Sequence, residues 1–115
     1  MSSRALKKSW QFRSCYRHGR KIVCDHAVIF LHKTPDDIGG LHVGVVASKK
    51  VGNAVKRNRA KRLLRHAARD VIARLNDQDM WVVLIARASI LDRNSNQVLD
   101  DLERGLETSG LLLIE

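Results

Sequence analysis

Hydrophobic and polar positions divide the 115-residue chain into segments with different periods. The run MWVVLIAR at 80–87 is apolar through its first seven positions, the pattern of a strand buried on both faces. HAVIFLH at 26–32 and LHVGVVAS at 41–48 also read as strands, joined by the turn-rich TPDDIGG that holds the only proline, Pro35. Over 54–75 the apolar residues return at helical spacing. Ala60, Leu63, Leu64, Ala67, Ala68, Val71 and Leu75 share one face, and Asn76 is the expected terminator. A short helix over 6–17, stopped by Gly19, opens the chain, and a helix over 96–108 with Gly110 beyond it closes the pattern. Helix, two or three strands, long helix, strand, helix predicts an α+β fold with a small mixed sheet. The length fits a single domain spanning 1–115.

Charge changes this picture from a generic small domain to a binding protein. The 21 Lys and Arg against 12 Asp and Glu give a net charge of +9. The excess is divided: residues 1–69 hold 17 basic and 3 acidic side chains, residues 70–115 hold 4 and 9. A surface that only keeps a protein in solution mixes the signs; this division points to a polyanionic partner. No apolar run approaches the roughly 20 residues of a membrane span, and no apolar stretch of a secretory signal follows Arg4, Lys7 and Lys8. No membrane partner is expected. Cys15 and Cys24 make no disulfide framework and read as reduced thiols, so a cytoplasmic location is expected.

The long helix concentrates the charge. Residues 49–69 carry nine Lys or Arg and no carboxylate. Asn58, Arg62, Arg65 and Arg69 lie opposite the apolar stripe, with Arg59 and Lys61 on its flanks. Arg59–Arg62, Arg62–Arg65, Lys61–Arg65 and Arg65–Arg69 are like-charge neighbours at i,i+3 or i,i+4, which destabilise a helix. Cations in the first turn also oppose the helix dipole. Selection for stability alone would interleave glutamates, so the face is expected to bind phosphates. Gly52 allows a tight turn and Asn53 is a good N-cap. Arg57, Arg59 and Arg62 offer planar forks, and Lys49, Lys50 and Lys61 mobile point charges, for phosphate oxygens.

Other constellations are weaker. Of the five aromatics, Trp81 reads as core and Trp10 has no assignment. Phe12 and Tyr16 are i,i+4 on the first helix, and Phe30 lies on a strand; packing and ligand stacking are both open for these three. Cys15, His18, Cys24 and His26 fit no common zinc spacing, and His32, His42 and His66 are scattered. Asp36-Asp37 and Asp100-Asp101 read as solvated pairs in a turn and on an acidic helix. No catalytic and no metal-binding residue is expected.

The run SKKVGNAVKRNRAKRLLR at 48–65, centred on Arg57-Asn58-Arg59, resembles the signature of the bacterial ribonuclease P protein subunit. LKKSWQFRSCYRHG, the strand pair and WVVLIAR fall where that family places them, and Ala47 and His66 are small departures. The resemblance implies a ribosomal-protein-like fold with helices on a four-stranded sheet and a left-handed βαβ crossover, against the usual hand. It implies the protein subunit of an endoribonuclease that removes the 5′ leader from precursor tRNA, with catalysis by an RNA subunit and Mg2+ assisting the holoenzyme. Lys49, Lys50, Asn53, Arg57, Asn58, Arg59, Lys61, Arg62 and Arg65 are then expected to bind the catalytic RNA. Phe12, Tyr16 and Phe30 are expected to line a cleft for the precursor tRNA leader, where stacking on aromatic faces holds a single strand. No cofactor bound by the protein is implied. A structural ribosomal protein, a self-sufficient metal-dependent nuclease and a DNA-binding protein are the alternatives.

Overall fold

A computed structural model describes residues 4–35 and 39–112. The pair Asp36-Asp37 lies outside the described residues. The chain runs β1 (Arg4–Ala5), α1 (Ser9–His18), β2 (Arg20–Val23), β3 (Ala27–Lys33), β4 (His42–Val46), α2 (Ala54–Ala73), β5 (Met80–Ala86), a 3-10 turn (Ala88–Asp92) and α3 (Ser95–Thr108). The sheet has the order β1-β4-β5-β3-β2. Its β1–β4 and β4–β5 pairs are parallel, while β5–β3 and β3–β2 are antiparallel. The expected mixed α+β fold is therefore present, with five strands rather than four. The extra strand is the two-residue β1, too short to leave a period in the sequence.

Alternation along the strands builds two cores. Ile29, Leu31, Val82 and Leu84 point to one face, where they meet Leu64, Ala67, Ala68 and Val71 of α2 and Val98, Leu102 and Leu106 of α3. Cys15 of α1 joins Leu6, Trp81 and Val83 on the other face. The molecule is thus three-layered: α1, then the sheet, then α2 with α3. Central β5 is covered on both sides, which is why its sequence is apolar without alternation.

Helix boundaries shifted where local bonds overrode apolar spacing. Leu6 is not helical; it is buried beside β1 and its N–H donates to the Val43 carbonyl at 3.0 Å. The Gln11 side-chain oxygen accepts from the Lys7 and Lys8 N–H groups and starts α1 at Ser9. Leu75 lies beyond the end of α2, bridging to Leu112, while the Asn76 N–H donates to the Leu111 carbonyl. Gly19 turns extended and ends α1, its N–H still donating to the Cys15 carbonyl at 2.8 Å, and a side chain there would collide with that carbonyl. None of the described helices is long and apolar enough to cross a membrane.

Candidate nucleic-acid interface

Strand register and helix phase together define how α1 lies on its face of the sheet. On that face His42, Trp81 and His32 form one row across β4, β5 and β3. Gly44, Val83, Phe30 and Lys21 form the next, and Val46, Ile85, Val28 and Val23 the third. Helix α1 lies across the strands between the first two rows. Cys15 is its fully buried contact with the sheet. On one flank the Phe12 ring sits over Gly44, and Tyr16 meets Phe30 edge-on with centroids 5.1 Å apart. On the other flank Trp10 touches Trp81, and the Ser14 hydroxyl lies 3.3 Å from His32 Nε2.

The third row has no helix above it. The result is an open trough with Phe12 and Tyr16 as its wall and Phe30, Val28, Ile85 and Val46 as a half-buried floor. Val23 at its margin is 60% exposed and Tyr16 41%. Apolar side chains left open in this way on a sheet face suit an occupant with flat apolar surfaces. Partial burial, helped by the neighbouring Cys15, raises the Tyr16 phenol pKa above its usual 10.0, so its hydroxyl stays protonated at neutral pH. Trp81, 1% exposed, is core as expected. Gly44 is what lets Phe12 approach: a Cβ there would lie 2.5 Å from the ring.

The basic segment begins where β4 ends, at the third-row end of the trough. Val51 is buried and anchors the loop, leaving Lys49 and Lys50 exposed. Gly52 adopts φ +144, a conformation other residues avoid. The Asn53 side chain accepts from the Lys56 N–H at 3.0 Å, the expected N-cap. Arg57 is half-buried, and its Nη1 donates to the Gly52 carbonyl at 3.1 Å, so it braces this loop. Asn58, Arg59, Arg62 and Arg65 are exposed along α2, with Lys61 half-buried on the flank. Arg59, Arg62, Arg65, His66 and Arg69 line a groove of about 580 Å³ that reaches Ser95 at the start of α3.

A second groove, of about 590 Å³, runs along the β1–β4 edge of the sheet. Phe12 and Gly44 lie at one end, Arg65 and Arg69 at the other, and Arg4 beside them. The groove thus brings one residue expected of the cleft, Phe12, and one expected of the basic face, Arg65, into the same lining. Among the described residues the ion pairs are Lys33–Asp77 and Arg74–Glu103, and neither uses a cation of residues 49–69. Among the described residues no carboxylate forms an ion pair with the arginine face.

A family model described as Ribonuclease P matches residues 1–110. The chain belongs to the ribonuclease P protein family. A ribonuclease P protein component from Ruegeria pomeroyi is 52% identical over 102 residues, covering 88% of this chain and 82% of that one. The component from Symbiobacterium thermophilum is 38% identical over 111 residues, covering 93% and 91%. Among solved structures, the Staphylococcus aureus RNase P protein superposes with TM-score 0.79 at 25% identity, covering 97% of this chain and all of that one. The Thermotoga maritima RNase P protein shares the fold, with TM-score 0.72 at 21% identity over 90% of this chain and 97% of that one.

Within this ribonuclease P protein, several residues of the site escaped the sequence reading. Arg69, placed on the phosphate-binding face by its helical phase but outside the set implied by the 48–65 signature, lines both grooves. Gly44, inside a strand pattern, marked a close approach without saying what approaches. The Cys and His residues weighed for zinc do not converge. Cys15, on α1, is buried against one face of the sheet, whereas Cys24 lies in the core on the opposite face, against Gly105 of α3. Burial pushes both thiols up to about 11, with Asp101 and Asp25 adding to the rise at Cys24. Asp101 is not solvated as expected. It is 4% exposed, and its carboxylate accepts from the Asp25 and His26 N–H groups at 2.9 and 2.8 Å. It clamps the β2–β3 turn to α3, a long-range pairing that the local acidic pattern concealed.

Proposed function

We propose that this chain is the protein subunit of an endoribonuclease whose RNA subunit cleaves the 5′ leader from precursor tRNA in the cytoplasm. The observation that carries this reading is the groove joining Phe12 to Arg65 and Arg69. One partner can engage the arginine face while a single strand lies in the trough beside it. Arg59, Arg62 and Arg65, exposed and without carboxylate partners among the described residues, contact phosphates of the RNA subunit, with Lys49, Lys50, Asn58 and Lys61 adding charge and hydrogen bonds. Asn53 and Arg57 act chiefly by holding the loop that presents them. Phe12, Tyr16 and Phe30 stack on unpaired leader bases, which mature tRNA lacks.

The described residues hold no group of three His, Cys, Asp or Glu side chains placed to bind a metal. The chain's own contribution is to hold and orient RNA.

Reconstitution tests the proposal. Purified protein is combined with a bacterial ribonuclease P RNA and assayed on precursor tRNA at near-physiological salt. The expected result is cleavage at the mature 5′ end that requires the RNA and is stimulated by the protein. Cleavage by the protein without RNA would instead make it a nuclease. Binding to ribosomal RNA with no effect on the catalytic RNA would make it a structural protein. Either result overturns the reading.

A further inference from the structure

The flank of α1 facing away from the trough has its own aromatic and cationic surface. Trp10 is 52% exposed, although tryptophan is the residue with most to gain from burial. Its ring meets the buried Trp81 at 5.5 Å and 65°, a contact that holds it in place while half its surface stays open. Trp10, Arg13, Ser14, Arg17 and His18 follow one another at helical spacing and line a shallow groove of about 240 Å³. Arg13 and Arg17 are exposed, and α1 contains no Asp or Glu.

We propose that Trp10, with Arg13 and Arg17, forms a second contact for single-stranded RNA, separate from the trough of Phe12, Tyr16 and Phe30. An unpaired base has an apolar face for the open indole, and the phosphates beside it offer the two guanidinium groups a counter-charge that no carboxylate among the described residues supplies by an ion pair. A held ring loses little rotamer freedom on binding. Paired RNA offers no free base face. A protein partner with an acidic surface would satisfy the arginines but would not need an indole open for stacking. The two flanks of one helix then serve two stretches of single strand. This goes beyond leader binding and does not depend on it.

Trp10 and Trp81 are the only tryptophans, and Trp81 is enclosed, so Trp10 reports its own occupancy. A short oligouridylate is titrated into the whole protein at low salt while tryptophan emission is followed. Quenching is expected, because a stacked base quenches an indole. It should persist in the Phe12→Ala/Tyr16→Ala variant. Trp10→Ala should weaken oligouridylate binding about fivefold or more, the low end of one base–aromatic stack. Thermal melting of that variant shows whether it remains folded. Arg13→Ala/Arg17→Ala, which alters only exposed side chains, should weaken binding with the fold intact.

Binding without any change in Trp10 emission would overturn the proposal. So would equal quenching by a duplex of the same length, or quenching that vanishes with the trough variant. Unchanged affinity in Arg13→Ala/Arg17→Ala would do the same. The measurement needs neither the RNA subunit nor precursor tRNA, so its failure and that of the proposed function are separate results.

Discussion

Replacing Phe12 with Ala separates a binding wall from a packing residue. The ring is half-buried, between Gly44 beneath it and the open trough beside it. A fully buried Phe truncated to Ala costs roughly 3–5 kcal/mol, so a half-buried one costs about 2 kcal/mol. Even a marginal native state of about 5 kcal/mol would keep about 3 kcal/mol, leaving about 99% of the chain folded. Unfolding is then too small to weaken binding measurably. Any loss of affinity reports the missing face, and a flexible leader realising about 1 kcal/mol of stacking gives about a fivefold loss. The assay is holoenzyme affinity for precursor tRNA and for mature tRNA, with a thermal melt of the protein alone. Precursor binding should fall and mature tRNA binding should hold. Equal losses for both would refute the leader assignment.

The same wall can be disturbed with its ring retained. In Gly44→Ala the new methyl would lie 2.5 Å from the ring, whose free end can tip away, so precursor affinity should fall while mature tRNA affinity and the melt change little. Arg62→Ala should weaken RNA-subunit binding and make the slope of log affinity against log salt shallower by about one unit or less, with no change in the melt; an unchanged slope would mean that the arginine acts through folding. Asp101→Ala should lower stability by about 2–3 kcal/mol in urea denaturation, since it strands two N–H groups near α3; a change below about 0.5 kcal/mol would show that the clamp is dispensable. Cys15 and Cys24 should react slowly with thiol reagents at pH 8 when folded and readily in denaturant. Their folded pKa values are raised from 9.0 to about 11, so the stability they contribute is fully present below pH 9 and is lost as pH rises towards 11. A melt that does not fall over that range would contradict the burial argument.

Local chemistry made some of this architecture legible and hid the rest. Strand β5 was readable because a strand covered on both faces needs no polar alternation. The entry to α2 was readable because a glycine turn and an asparagine cap act within four residues. The arginine face showed itself through absent carboxylates. What stayed hidden depends on residues far apart in the chain. Strand β2, Arg20–Val23, carries one buried side chain and takes its register from β3. Leu6 looks helical until its N–H is given to β4. The trough was assigned by resemblance rather than by pattern, because Phe12, Gly44 and Phe30 meet only when α1 lies across the sheet. Asp101 looked like any surface acid because its partners are about 75 positions away.

The unneutralised arginines of α2 also link folding to partnership. Without RNA, the neighbours Arg59–Arg62, Arg62–Arg65, Lys61–Arg65 and Arg65–Arg69 repel by a few tenths of a kcal/mol each, about 1–2 kcal/mol together. A polyanion laid along the helix removes that strain, so part of its affinity is energy stored by the free fold. By linkage, the ligand must raise the protein's melting temperature by more than its contacts alone provide, and added salt should partly mimic it. On the proposed function, the cost of the arginine face falls on the solitary chain and would be recovered on assembly with RNA, making the free protein the less robust state.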